Sequence, residues 1–160
     1  MKIKLLAAAG CLALLAGCNN ASTDTAGTAT GTGASATTAG VTPGSQEDLV
    51  ANVGDRVFFA TAQNSLSGDA RGTLDKQVGW LGQYPQNQIQ IAGNCDERGT
   101  EEYNLALGNR RANAARDYMV ARGVSSSRIS TISYGKDRPT APGSDEQSWA
   151  QNRNAITSVR

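Results

Sequence analysis

One stretch of this sequence gathers charges of both signs. Residues 93–114 read GNCDERGTEEYNLALGNRRANA, with five charged residues in the first ten positions and two adjacent arginines, Arg110 and Arg111, further on. A carboxylate and a guanidinium held a few ångströms apart complement a ligand that carries an ammonium and a carboxylate. The same two groups can instead pair with each other and tie a loop to a helix. The elements that position the charges decide between these two uses.

The composition excludes several classes of functional site. The chain has 160 residues, no histidine and a net charge of +1. Without histidine there is no His-based triad, no Cys–His dyad and no imidazole metal ligand, and the small net charge gives no electrostatic basis for binding nucleic acid. The three cysteines are too few and too scattered for a zinc site or a disulfide framework. We therefore expect no metal, no cofactor and no nucleic-acid partner.

The first 17 residues are predicted to be a signal peptide. Two lysines precede an apolar run at residues 5–16, which is shorter than the roughly 20 residues needed to span a bilayer and suits a secretory signal. The run ends in Leu-Ala-Gly-Cys at residues 15–18, which resembles a bacterial lipobox. The resemblance implies cleavage before Cys18, acylation of Cys18 and, because Asn19 rather than aspartate follows, sorting to the outer membrane. The alternative is an ordinary secretory signal whose cysteine is incidental.

Residues 18–47 are predicted to be a lipidated N-terminus and a flexible linker. The segment consists mostly of Thr, Ala, Gly, Ser and Asn and cannot bury enough apolar surface to offset its ordering entropy. A flexible chain of roughly 28 residues has a root-mean-square span of about 30 Å. A folded domain over residues 48–160 would therefore work at a distance from its membrane.

The domain is predicted to alternate strands and helices. Hydrophobic periodicity, caps and breakers predict strands over 57–59, 88–91, 128–134 and 155–159 and helices over 69–81, 100–122 and 146–152. In the longest helix Thr100 can form the N-cap and Gly123 can end it. We expect an α/β (α+β) two-layer sandwich, with a mixed sheet of about four strands and helices on one face.

A helical wheel places an arginine beside the predicted core face of the longest helix. At about 100° per residue, a narrow stripe contains Tyr103, Leu107, Ala114 and Tyr118. Arg111 falls about 40° from Leu107 on that wheel, and Asn104 lies on the same flank. A guanidinium so close to the core needs an acceptor. Asp96, in the loop before this helix, is the expected neighbour.

The charged stretch resembles the OmpA-like peptidoglycan-binding family, most closely its lipoprotein branch. The matching residues in the stretch are Gly93, Asp96–Thr100, Tyr103, Asn104, Leu107 and Arg110–Ala112, and those downstream are Gly123, Val124, Ile129, Ser133–Lys136, Pro139, Asn152 and Arg153. The likeness covers residue 57 to the end of the chain. It implies binding, without cleavage, of the diaminopimelate in the peptidoglycan stem peptide, and docking with the periplasmic propeller protein of a Tol system.

The resemblance implies a role for each residue of the binding site. Asp96 would take the ammonium of the diaminopimelate side chain, and Arg111 would take its carboxylate with the planar guanidinium fork. Asn104 and Leu107 would complete the site, while Arg98 and Arg110 are expected to be structural or rim residues.

Three residues or segments depart from the family pattern or stand out within it. Asn94 stands where relatives often have histidine, and residues 59–64 lack the aspartate that many relatives carry after the first strand. A ligand contact made by that aspartate would be lost or moved to the backbone. Cys95 is at an odd-numbered position, as are Ile89 and Ile91, and in an extended chain it would face the same side as they do. We therefore expect a buried, unreactive thiol.

Two other classes of function remain open on the residues alone. A cell-wall hydrolase could use Asp96 with Glu97 or Glu101 as acid and base, but the arginine-rich surroundings give no reason for a raised pKa on these carboxyls. A protein-interaction module is the third class. We expect a non-enzymatic protein that binds the wall and is anchored in the outer membrane.

The lipobox generates the first testable prediction. Cys18 is expected to be the lipid-modified N-terminus of the mature protein, and mass spectrometry of the membrane-extracted protein should detect it. Cys18→Ser should leave an unprocessed or soluble protein. An unmodified mature N-terminus at another residue would contradict the prediction.

Overall fold

The computed structural model describes residues 40–160, so the predicted signal peptide, Cys18 and most of the predicted linker lie outside the described residues. The helices are α1 (Gln46–Asp48, continued by a π-helical turn, Leu49–Val53), α2 (Gly68–Gln83), α3 (Glu101–Ala121) and α4 (Glu146–Asn152). The strands are β1 (Arg56–Phe58), β2 (Ile89–Asn94), β3 (Ile129–Gly135, after a 3-10 turn at Ser126–Arg128) and β4 (Asn154–Val159). None of the helices in residues 40–160 is both long and apolar enough to cross a bilayer.

The four strands form one mixed sheet, as predicted. Its strand order is β1-β4-β2-β3. The β1/β4 and β4/β2 pairs are antiparallel, and the β2/β3 pair is parallel. β2 is one of the two inner strands, and its Ile89 and Ile91 are almost completely buried. Hydrogen bonds from Thr157 to Gln77 of α2 and from Thr131 to Asn113 of α3 place both helices on one face of the sheet.

Side-chain caps define where the helices begin. The Thr100 hydroxyl accepts the N–H of Tyr103 at 3.2 Å, as predicted, and Ser67 and Asp145 cap α2 and α4 in the same way. Each cap satisfies one of the amide donors that the first turn of a helix leaves free. Gly123 follows α3 with a φ of 99°, a left-handed conformation that glycine adopts at no steric cost.

The predicted core stripe of α3 is wrong by about one residue. Tyr103 is 45% exposed, and Ala114 and Tyr118 are only partly buried. The buried face consists of Asn104, Leu107, Gly108, Arg111, Ala112, Ala115 and Met119. The reason is the approach of α3 to β2 at two glycines, since a Cβ added to Gly93 would lie only 1.8 Å from the carbonyl oxygen of Gly108. Small residues therefore face the sheet, and large ones flank the contact.

The end of one predicted strand shifts by three residues. β2 continues to Asn94, three residues beyond the predicted end, because its backbone pairs with β3 along Ala92 and Gly93, residues with no strong strand propensity of their own. Gly44 and Gln46, which precede the predicted start of the domain at residue 48, also bond to it. The carboxylate of Asp48 accepts the N–H of Gly44 at 2.8 Å and the indole N–H of Trp80 at 2.9 Å, and these bonds, with one from Asn52, lower the pKa of Asp48.

The chain enters the domain at one end of the sheet. The Gln46 side chain accepts the N–H of Val159 at 2.7 Å, and Val159 pairs with Ile89, the first residue of β2. The charged loop, residues 95–100, follows the last residue of β2. The point where Gln46 attaches the N-terminal segment and the charged loop therefore lie at opposite ends of β2.

The helix–strand contact generates a stability prediction. Gly108→Ala should destabilise the domain by about 1–3 kcal/mol, the usual cost of overpacking, because the new Cβ would lie 2.7 Å from the Gly93 oxygen. Gly79→Ala is the matched control, since it adds a methyl to α2 with no atom within 4 Å and should stabilise by about 0.5–1 kcal/mol through helix propensity. Urea unfolding measures both. A Gly108→Ala protein as stable as the parent would contradict the tight contact.

Candidate functional site

A cavity of about 270 Å³ opens at the end of the sheet where β2 finishes. Three segments line it. They are residues 61–62 after β1, residues 95–99 after β2, and the first three turns of α3 from Tyr103 to Arg111. All four residues predicted to bind the ligand, Asp96, Asn104, Leu107 and Arg111, lie on its wall. The structure therefore brings together the residues that the sequence singled out.

Arg111 lies at the base of the cavity and is 1% exposed. Its Nε donates to the Gln63 carbonyl at 2.8 Å, Nη1 donates to the Asn94 carbonyl at 2.8 Å, and Nη2 donates to the Ala60 carbonyl at 3.2 Å. Burial lowers the pKa of Arg111, yet a guanidinium stays charged in proteins. Within residues 40–160 no carboxylate lies within 4.0 Å of it, and the expected direct pair with Asp96 does not form.

Asp96 is neutralised by two other arginines. Arg98 binds it through the Nε/Nη2 edge of its guanidinium, with Nη2–Oδ2 at 2.7 Å and Nε–Oδ1 at 3.2 Å, and the Arg98 backbone N–H also donates to Oδ1. Arg153 Nη1 lies 3.4 Å from Oδ2. Burial by itself would raise the pKa of Asp96, but the bonds from Arg98 and then Arg153 outweigh it and lower the pKa. The carboxylate is therefore ionised at neutral pH.

Arg153 is the site residue that sequence reasoning missed. Its side chain is only 8% exposed, with Nε donating to the Phe59 carbonyl at 3.2 Å and Nη2 to Glu146 at 2.8 Å. It thus joins α4 to the loop after β1 and to Asp96. The residue belongs to the resemblance motif, but no local pattern shows that a position 57 residues downstream returns to Asp96.

Asn104 and Leu107 shape the cavity in different ways. Asn104 is buried, and its amide donates to the carbonyls of Arg98 at 2.9 Å and Thr100 at 3.1 Å. It therefore holds the loop that carries Asp96. Leu107 is 3% exposed and supplies an apolar wall. Tyr103 stands at the rim with its ring half in solvent.

Cys95 is buried and reduced, as predicted. It is 3% exposed, and its Sγ lies 3.4 Å from Nη1 of Arg111 and 3.4 Å from the carbonyl of Asn104. Burial raises the pKa of the thiol, so the thiolate that would make it reactive is disfavoured.

The two departures from the family pattern act through the backbone. The Asn94 side-chain amide donates to the Asn154 side chain at 2.7 Å, on the face of the sheet away from α2 and α3. The backbone carbonyl of Asn94 accepts from Arg111. The acid-free segment after β1 likewise contributes the carbonyls of Ala60 and Gln63 to Arg111. Ala62 in that segment has a φ of 56°, which turns the backbone at the cavity wall.

The carboxyls at the site are not arranged for acid catalysis. The Glu97 carboxylate accepts the Trp149 indole N–H at 3.0 Å, and bonds from Ser144 and then Trp149 lower the pKa of Glu97. A general acid at neutral pH needs a raised pKa, and the pKa values of Asp96 and Glu97 are both lowered. In residues 40–160 no three metal-ligating side chains come together. The arrangement is suited to binding a ligand with both charges.

Comparison with known proteins gives a consistent assignment. The profile of the OmpA family matches residues 58–153. The chain is 53% identical over 146 residues to the peptidoglycan-associated lipoprotein of Rhizobium meliloti, covering 89% of this chain and 80% of the relative. It is 56% identical over 118 residues to that of Mesorhizobium japonicum, covering 74% of this chain and 70% of the relative.

Solved structures agree with the sequence comparison. The crystal structure of the peptidoglycan-associated lipoprotein from Burkholderia pseudomallei is similar with a TM-score of 0.64 and 42% identity, covering 66% of this chain and 90% of that one. The C-terminal domain of Helicobacter pylori MotB, at 19% identity and a TM-score of 0.62 over 66% of this chain and 84% of that one, shares the fold. The chain belongs to the OmpA family, in the branch of the peptidoglycan-associated lipoproteins.

Proposed function

We propose that this protein binds peptidoglycan non-covalently through the diaminopimelate of the stem peptide, and that a lipid on Cys18 anchors it in the outer membrane. The observation that carries the proposal is Arg111, a buried guanidinium at the base of an open cavity, whose hydrogen-bond acceptors in residues 40–160 are three carbonyl oxygens and the Cys95 sulfur, with no carboxylate among them. Burying a charge without an opposite charge is costly. A ligand carboxylate would supply the missing charge.

The remaining parts of the cavity suit the rest of the diaminopimelate side chain. The diaminopimelate side chain ends in an ammonium beside the carboxylate. The ionised carboxylate of Asp96, on the cavity wall, would take the ammonium. The methylenes of the ligand would pack on Leu107 and Tyr103. Nη2 of Arg111 carries two N–H groups, and one of them has an acceptor in Ala60. The second has no acceptor within residues 40–160, so it can donate to a ligand.

The position of the site supports a tethering role. The N-terminal attachment lies at the start of β2, and the cavity lies beyond its end. A linker that leads back to a lipid would therefore join the domain at the end opposite the cavity. Docking with the periplasmic propeller protein of a Tol system is part of the same proposal and rests on family likeness.

Substitution at the two poles tests the site. Asp96→Asn keeps the shape of the side chain and removes its charge, and Arg111→Lys keeps the charge and removes the fork. Each should weaken peptidoglycan binding at least about tenfold, because hydrogen bonds to charged groups contribute about 1.5–3 kcal/mol and 1.4 kcal/mol is tenfold. Cosedimentation with purified peptidoglycan measures the effect, and thermal unfolding reports whether each variant is folded.

Asp117→Asn is the matched control. This carboxylate is exposed on α3 and pairs with Arg116 at 2.8 Å, away from the cavity, so binding should not change. Near-normal binding by a folded Asp96→Asn or Arg111→Lys protein would overturn the proposal. Release of soluble fragments from peptidoglycan by the parent protein would favour the hydrolase instead.

The site also predicts how binding depends on pH. The pKa of Asp96 is lowered, so its charge and the associated stability are fully present above the ordinary Asp pKa of about 3.9 and are lost as pH falls through the lower folded value. The chain has no histidine, so binding should be level from about pH 8 to pH 5 and should fall only below about pH 4. Cosedimentation across this range is the measurement, and a transition centred between pH 6 and 7 would contradict it.

A further inference from the structure

The carboxylate of Asp96 has no free acceptor position. A carboxylate offers about four lone-pair sites, and four donors already occupy them. Oδ1 accepts the backbone N–H and the Nε–H of Arg98, and Oδ2 accepts from Arg98 Nη2 and Arg153 Nη1. A ligand ammonium can reach Asp96 only by replacing one of these donors.

The two arginines differ in how easily they can leave. The Arg153 side chain is 8% exposed and is bonded at all three of its nitrogens. The Arg98 side chain is 39% exposed and lies on the wall of the cavity. Arg98 is therefore the donor that a ligand would displace, while Arg153 keeps Asp96 compensated and in place.

A second resting position for Arg98 is already present. Its guanidinium stacks on the Trp149 ring at 4.2 Å from the centroid. Its Nη1 lies 3.9 Å from Oε2 of Glu146, a side chain that is 64% exposed, and the other oxygen of Glu146 bonds Arg153. A short movement across the indole would give Arg98 a full ion pair with Glu146 in place of the one with Asp96.

We propose that Arg98 is an exchangeable counterion that holds Asp96 in the free site and moves to Glu146 when a ligand ammonium binds. The inference rests on the proposed function. It makes Arg98 a competitor of the ligand rather than a contact to it, and it makes Glu146 and Trp149 the residues that receive it. A stem peptide lacking the ammonium would bind without displacing Arg98 and would not gain the ion pair with Asp96.

The test compares two stem tetrapeptides by calorimetry. One contains meso-diaminopimelate, and the other contains 2-aminopimelate, which keeps the side-chain carboxylate and lacks the ammonium. Arg98→Ala should bind the diaminopimelate peptide about twofold to fivefold more tightly than the parent does, the range expected when a half-exposed ion pair no longer has to break. The 2-aminopimelate peptide should gain nothing, because it does not compete with Arg98.

Glu146→Gln, alone and combined with Arg98→Ala, completes a double-mutant cycle. With Arg98 present it should weaken binding of the diaminopimelate peptide about twofold to fivefold, since the receiving carboxylate is lost. In the Arg98→Ala background it should have no effect. Arg116→Ala, which removes an exposed arginine from α3, is the matched control for the change in net charge and should leave both affinities unchanged.

The outcomes separate the inference from the function. Weaker binding of the diaminopimelate peptide by Arg98→Ala, or an equal gain for both peptides, would overturn the counterion role while leaving the proposed function intact. An effect of Glu146→Gln that persists without Arg98 would also overturn that role. Failure of the unaltered protein to bind the diaminopimelate peptide would overturn the proposed function, and the inference with it.

Discussion

The architecture of the site depends on one buried charge, the guanidinium of Arg111. Its donors engage carbonyls from the loop after β1 and from the last residue of β2, while its own backbone belongs to α3. Three chain segments that are distant in sequence therefore converge on one side chain. Carbonyl oxygens accept from all three of its nitrogens but leave its net charge uncompensated. In the proposed function, the carboxylate of a ligand supplies the anion that the described part of the fold does not place beside this cation.

The close contact between Gly93 and Gly108 is what brings that cation to the cavity. With the helix backbone almost touching the strand, Arg111, one turn further along α3, reaches the Asn94 carbonyl at the end of β2. A larger residue at either glycine would move the helix outward and withdraw the guanidinium from its acceptors. Packing in the core and placement of the charge are therefore one constraint, set by two residues that have no side chain.

Much of this could be predicted from the sequence. Alternating strands and helices, the Thr100 cap and the spacing from Asp96 to Arg111 are local signals. The structure confirms the mixed sheet and the cap, and it places both charged residues on the wall of one cavity. The predictions that failed depend on contacts between residues distant in sequence. A wheel that weights large apolar residues misplaced the core face of α3, because the tight contact selects small ones. Arg153 could not be assigned to Asp96, since it reaches that carboxylate from 57 residues downstream through the tertiary fold.

The entry of the chain at one end of β2 and the cavity at the other have a mechanical consequence. In the proposed function, tension between a lipid anchor and a bound wall would act along β2, over about 20 Å for six residues. β2 is bonded to β3 on one side and β4 on the other, so a lengthwise load would shear two ladders of hydrogen bonds together instead of opening one bond at a time. The N-terminal end is secured by Gln46 on β4 and by Asp48 on Trp80. A load applied between these two ends would therefore meet the sheet in the direction in which it resists best.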